Sequence, residues 1–226
     1  MALDTTNIKA GGEGGLPKTL RPGNLTCKIN SMIVEEFKPK PGYFHIILGL
    51  EGPDMGPDFE GFWVDKFNEA LGRYKGQVGR VKAGEWAFSD GTTKSGIEIS
   101  RDTEMLKFLK NICVAFDCND WLIGQNGKHE TVESLIEQFN KDKPSGDNTA
   151  EFCLAGKEYT NKGGYPDFDL FLPKYSKDGP AFGKKAVVFN PETHIKKKKE
   201  DVAVTEFESD INTELPAASK GDFSLD

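Results

Sequence analysis

Apolar and polar positions alternate through the first ordered-looking part of the chain. Leu25, Cys27 and Ile29 alternate with Thr26, Lys28 and Asn30, and Ile33, Val34 and Phe37 continue on a shifted face. A period of two over this length predicts a long first strand, and the change of face predicts a bulge within it. Lys38-Pro39-Lys40-Pro41-Gly42 predicts a turn. The run 43–50, apolar almost throughout, then predicts a strand buried on both faces that pairs with the first as a hairpin. Residues 51–58, with Gly52, Pro53, Gly56 and Pro57, predict a loop. Strand-like segments at 59–68, 76–83 and 85–89 follow, punctuated by Gly61, Gly72, Gly76, Gly79 and Gly84.

The period then lengthens to that of a helix. Met105, Leu109, Ile112 and Phe116 recur at helical spacing, Leu106 and Cys113 widen the stripe, and Asp102 offers an N-cap. Thr131 offers a cap for a shorter helix with Val132, Leu135, Ile136 and Phe139 on one face. Segments 151–159 and 167–172 are separated by Thr160-Asn161-Lys162-Gly163-Gly164-Tyr165-Pro166, which predicts a closing hairpin with a mobile tip. Phe168, Leu170 and Leu172 share one face of its second arm, and Phe171 falls with Asp167 and Asp169 as an outward aromatic or a second-layer core residue.

Several short strands with a helical insert before a closing hairpin predict a mainly β domain. A small OB-like barrel fits the pattern, and a sandwich satisfies it as well. The expected organisation is a flexible arm over 1–18, an OB-like β-barrel domain with its helical insert over 19–192, and a basic-then-acidic disordered tail over 193–226.

Charge alters this picture through its location. The net charge of −7 argues against nucleic acid until it is placed: from Glu200 onward eight acidic residues face the lone Lys220 and carry all of it. Everything before Glu200 is formally neutral, and 66–82 is locally basic through Lys66, Arg73, Lys75, Arg80 and Lys82 against Glu69 alone. Cys27, Cys113, Cys118 and Cys153 lack the paired spacing of a zinc site and read as reduced, buried apolar residues. His45, His129 and His194 lie far apart in sequence. Asp54, Asp58 and Glu60 form a compact carboxylate set without the spacing of a calcium loop, so no metal is expected. No nucleophile, base and orienting group can be assembled from motif, so neither an enzyme nor a cofactor is expected. The chain has no run of about 20 apolar residues, which predicts no membrane span. The opening residues lack the apolar segment of a signal peptide, so a cytoplasmic location is expected.

From the first helix onward the order of elements resembles the single-stranded-DNA-binding proteins that many tailed phages encode beside their recombination and replication genes. Three stretches carry the likeness: helix 103–116 ending in Phe116-Asp117-Cys118 before Trp121, the segment 130–139, and Lys157-Glu158-Tyr159-Thr160-Asn161-Lys162-Gly163-Gly164 before Phe168-Asp169-Leu170-Phe171-Leu172-Pro173. Pro41-Gly42-Tyr43 and Phe59-Glu60-Gly61 fit the same family's opening strands. The likeness spans 20–174. It implies an OB-type barrel that sequesters single strands during DNA replication or recombination, in the host cytoplasm if the chain is a bacteriophage's.

Single-strand binders need cations at phosphate spacing and aromatic faces on which any base can stack. Trp63, Lys66, Phe67, Arg73, Tyr74, Lys75, Arg80 and Lys82 form one stretch with both features. The hairpin tip, with Lys157, Tyr159, Lys162 and Tyr165, forms another. Taken singly, each aromatic also fits a core residue and each cation a solvated rim. At the tail tip Asp222, Phe223, Leu225 and Asp226 resemble the acidic, aromatic ends by which bacterial single-strand binders recruit replication and recombination proteins. The rival expectation is a β-rich interaction or virion-associated structural protein that binds no nucleic acid.

Overall fold

The computed structural model describes residues 18–53, 56, 59–63, 70, 72–174 and 179–197. The predicted long strand is β1 (Gly23–Glu36), 14 residues that change partners along their length. Its first part, Gly23 to Cys27, pairs antiparallel with β8 (Ala150–Thr160). Its second part, from Lys28, pairs with β2 (Phe44–Glu51). The register slips between Ile29 and Ser31, which puts the bulge just before the apolar residues where the pattern changes face.

β2 pairs antiparallel with β5 (Val78–Lys82), β5 pairs parallel with β9 (Pro166–Phe171), and β9 returns antiparallel along β8. Because β8 also pairs with β1, the five strands β1-β2-β5-β9-β8 close into a barrel. The helical insert lies between β5 and β8, as expected of an OB-like barrel, and the sandwich is ruled out by the closure.

Inside the barrel Cys27, Ile29, Met32, Ile46, Leu48, Leu50, Val81, Leu154 and Leu170 are buried in one cluster. Each large aliphatic side chain so buried contributes about 1.5–3 kcal/mol. The helices extend this core. In α1 (Arg101–Ala115) Met105, Leu109, Ile112 and Cys113 are buried, with Phe116 following. Leu106 is exposed, so the stripe is narrower than the sequence predicts. The N-cap is Ser100, whose Oγ accepts from the Thr103 N–H, and Asp102 instead sits in the first turn with its carboxylate on Arg101. A short α2 (Asn119–Gly124), not foreseen, sets Trp121 edge-on to Phe139. In α3 (Val132–Asp142) all four stripe residues are buried and Thr131 is the cap, as read from the sequence.

The cysteines are free and buried. Burial pushes the Cys27 thiol up to about 12 and Cys153 up to about 11, so they stay protonated and inert.

The ends of the domain differ from expectation. Lys18, assigned to the arm, accepts the Val78 N–H on its carbonyl at 2.9 Å. Thr193 to Lys196, assigned to the tail, belong to α4 (Pro191–His194) and β10 (Ile195–Lys196), and β10 pairs parallel with β8 beyond the point where β1 begins. Backbone pairing gives these polar residues an ordering energy that composition does not register. The expected strand at 59–68 appears among the described residues only as β3 (Phe62–Trp63), paired with β4 (Arg73–Tyr74). A further short pair, β6 (Gly91–Thr92) and β7 (Glu98–Ile99), precedes α1. The arm before Lys18 and the acidic tail lie outside the described residues. No described helix is long and apolar enough to cross a membrane.

Candidate nucleic-acid interface

Strand alternation separates two faces of β2. Ile46, Leu48 and Leu50 fill the barrel, so His45, Ile47 and Gly49 face outward. The register carries this outer face across the sheet. Glu35 stands opposite His45, Arg80 opposite Gly49 and Lys82 opposite Ile47. Phe171 lies beside Lys82, and Asp169 opposite Lys157. Phe171 thus points away from the barrel interior and is still only 6% exposed, with the Lys196 ammonium 5.9 Å from its ring centroid. It is a second-layer core residue.

Residues from the two candidate stretches come together at the wall between β5 and β9, where core residues Leu20 and Leu170 also reach the surface of the groove. Arg80 of β5 and Lys157 and Tyr159 of β8 line one groove of about 650 Å³ with Asp167, Phe168 and Asp169. The parallel β5–β9 pairing causes this convergence, since it lays the second arm of the closing hairpin directly against the basic strand.

The groove is mixed in charge. Arg80 is paired with Glu35, the Lys82 ammonium lies 2.5 Å from an Asp169 carboxylate oxygen, and Arg21 reaches Asp167 at 3.4 Å. Lys157 is exposed and forms no ion pair with a described residue. The Tyr159 hydroxyl donates to Asp167 at 3.3 Å. Its pKa is raised by partial desolvation and by the Asp167 charge. Ligand phosphates would have to compete with carboxylates already in place.

At the closing hairpin the turn is more ordered than its two glycines imply. Asn161 Oδ1 accepts the N–H groups of Gly163 and Tyr165 at 2.9 and 3.1 Å, and Gly164 takes the φ of +81° that this turn requires. Lys162 and Tyr165 are presented at the tip, Tyr165 being 71% exposed.

Arg73, Tyr74 and Lys75 are on a different element. The register pairs Trp63 with Arg73 and Phe62 with Tyr74, and Arg73 bonds the Glu60 carboxylate at 2.9 Å. Tyr74 is half-buried and Lys75 exposed. Buried Glu51 fastens this ribbon to the barrel: Oε1 accepts the N–H groups of Lys75 and Gly76 at 3.1 and 3.3 Å, while Oε2 takes Asn30 and Lys28. Gly76 must be glycine there, because a Cβ would sit 2.3 Å from the Gly52 carbonyl oxygen. β5 and β9 run parallel and Glu51 pairs with Val78, so the ribbon and the hairpin tip lie at the same end of the face. Lys66, Phe67, Asp54, Asp58 and the tail residues Asp222, Phe223, Leu225 and Asp226 lie outside the described residues. No group of three or more metal-ligating side chains occurs among the described ones.

The sequence reading missed the opposite end. The β1–β2 turn presents Phe37, 42% exposed, and exposed Lys38 and Lys40, the latter 3.7 Å from the Tyr43 ring centroid. Its Lys-Pro-Lys-Pro-Gly sequence between two aromatics was a signal for a cationic, aromatic loop, where only a turn was read. Trp86, 76% exposed, stands nearby in the segment after β5. Compared with family models, curated proteins and solved structures, the chain gives no match.

Proposed function

We propose that this barrel binds single-stranded DNA without sequence preference and without chemistry on it. The observation that carries the reading is the convergence of Arg80, Lys157 and Tyr159 in one groove of a closed five-stranded barrel. Its flanking loops are those by which OB-type barrels hold oligonucleotides. Aromatic faces at the rim accept any base, and the cations meet phosphates without reading sequence. Protection of strands in phage replication or recombination, with the acidic tail engaging replication or recombination proteins, is the setting that the sequence resemblance adds.

Titration of a fluorescent oligonucleotide, single-stranded and duplex, at two salt concentrations tests the reading. Single-strand preference is expected, with a log–log salt slope of about −0.7 per phosphate neutralised. No binding, or equal binding of both forms, would reject it. One observation favours a second reading, a β-rich interaction or virion-associated protein: Arg21, Arg80 and Lys82 are already paired with carboxylates, as expected of a face that solvates the fold. That reading requires no oligonucleotide binding even at low salt.

A further inference from the structure

Trp86 is the most exposed aromatic side chain among the described residues, at 76%. Leaving an indole in water forgoes the large apolar burial an aromatic side chain of this size ordinarily supplies. By contrast, Trp121 packs on Phe139 and donates to Asp142 at 2.9 Å. Trp86 makes no hydrogen bond or ring contact through its side chain with any described residue.

Its place is set by backbone bonds on either side. The Ala83 N–H donates to the Ile46 carbonyl at 2.8 Å, and Phe44 and Phe88 exchange bonds of 2.9 and 2.7 Å. Gly84 to Ala87 therefore stand opposite the single residue His45, three more than the ladder needs, and they bulge out of the sheet with Trp86 among them. An ion pair between Glu85 and Lys196 ties the bulge to β10. His45 also meets Phe37, ring centroids 5.7 Å apart and nearly perpendicular.

The charges here differ from those of the groove. Lys38 and Lys40 form no ion pair with described residues. The nearby Glu36 carboxylate is turned into its own loop, where it accepts the Gly42 N–H at 2.9 Å, and Glu85 is occupied by Lys196. This end of the face is left with two cations that have no carboxylate partner among the described residues, Lys40 lying over the Tyr43 ring, beside the exposed Phe37 and Trp86 rings.

We propose that Trp86 and Phe37, on either side of His45, form a second stacking subsite for unpaired bases, with Lys38 and Lys40 meeting the adjoining phosphates. The proposal rests on the single-strand reading and extends it. The subsite lies at the end of the β2–β5 face away from the closing hairpin's tip: His45 and Glu51 are six residues apart on β2, about 20 Å at the rise of a strand. A bound strand then runs the length of the face. A duplex offers no free base face to Trp86, so the subsite contributes only to single strands.

The test uses the full chain, Trp86→Ala and Trp86→Phe with an oligo(dT) of about 16 nucleotides, the upper end of the range for one barrel. Trp86→Ala is expected to weaken binding by about fivefold or more, the loss of one stacked base. Trp86→Phe should keep most of the affinity while losing much of the binding-dependent quenching of tryptophan emission. Because the side chain is exposed, both variants should melt with the parent. Parent-like affinity in Trp86→Ala, or undiminished quenching in Trp86→Phe, overturns the subsite and leaves the single-strand reading standing. A parent that binds no oligonucleotide overturns both.

Discussion

The side-chain amide of Asn140 holds both backbone polar atoms of Met32: Oδ1 accepts the Met32 N–H at 2.8 Å and Nδ2 donates to its carbonyl at 2.6 Å. Met32 lies in the stretch of β1 that has left β8, where one strand edge has no strand partner among the described residues. Helix α3 thus substitutes for a strand at the gap in the barrel wall. Asn140→Ala should destabilise the domain by about 1–3 kcal/mol, the cost of stranding these two groups. Denaturant unfolding measures this, and an unchanged midpoint would show that water satisfies the edge equally well.

Removing the competing carboxylates should strengthen DNA binding. Glu35→Gln together with Asp169→Asn frees Arg80 and Lys82, and two more neutralised phosphates would steepen the log–log salt slope by about 1.4. Exposed pairs of this kind are worth about 0–1 kcal/mol, so stability should change little. An affinity at low salt no higher than the parent's would place the phosphate path away from these strands.

Tyr159 and Tyr165 carry the aromatic part of the closing hairpin, and both are exposed. Tyr165→Ala should weaken single-strand binding by about fivefold or more if one base stacks there. Tyr159→Phe, which keeps the ring and loses only the bond to Asp167, should bind nearly as the parent does. A loss in Tyr159→Phe as large as that in Tyr165→Ala would show that the Tyr159 hydroxyl, not its ring alone, carries binding there.

His45 makes stability depend on pH with a definite sign. Burial, and then the Lys82 cation, hold its pKa below the ordinary 6.5, against the opposing pull of Asp169 and Glu35. The unfolded chain therefore binds the proton first as pH falls. Stability is intact above about pH 6.5 and declines below it. His194, lowered by burial, acts in the same direction. His45→Gln should flatten the fall in unfolding free energy between about pH 7 and pH 5 without abolishing it. A variant as pH-sensitive as the parent would assign the effect to other groups.

The acidic tail supplies a prediction from sequence alone. A tethered chain bearing the entire net charge competes with phosphates at a local concentration in the millimolar range for short linkers. Removing 200–226 should tighten single-strand binding several-fold at low salt, with the gain shrinking as salt screens it. Equal affinities of the two forms at low salt would leave the tail as a solubilising segment.

Period and punctuation in the sequence determined the first hairpin, the buried positions of the two longer helices, the closing hairpin and the mainly β class. Those features depend on neighbours a few residues apart, as with Leu25, Cys27 and Ile29, or Val132, Leu135, Ile136 and Phe139. Tertiary structure alone decided what meets across the sheet. The parallel pairing of β5 with β9 sets Arg80 beside Lys157 and Tyr159, and closure through β1 and β8 makes a barrel of what the pattern left open as a sandwich. Lys82 could not be matched to Asp169, nor Arg80 to Glu35, because ion pairing depends on register across strands and leaves no local periodicity. Trp86 escaped for the same reason. Its segment 85–89 reads as strand-like with no local sign of exposure; backbone bonds on both sides of that segment force it outward, and the decision between burial and exposure rests with residues some forty positions away in β2.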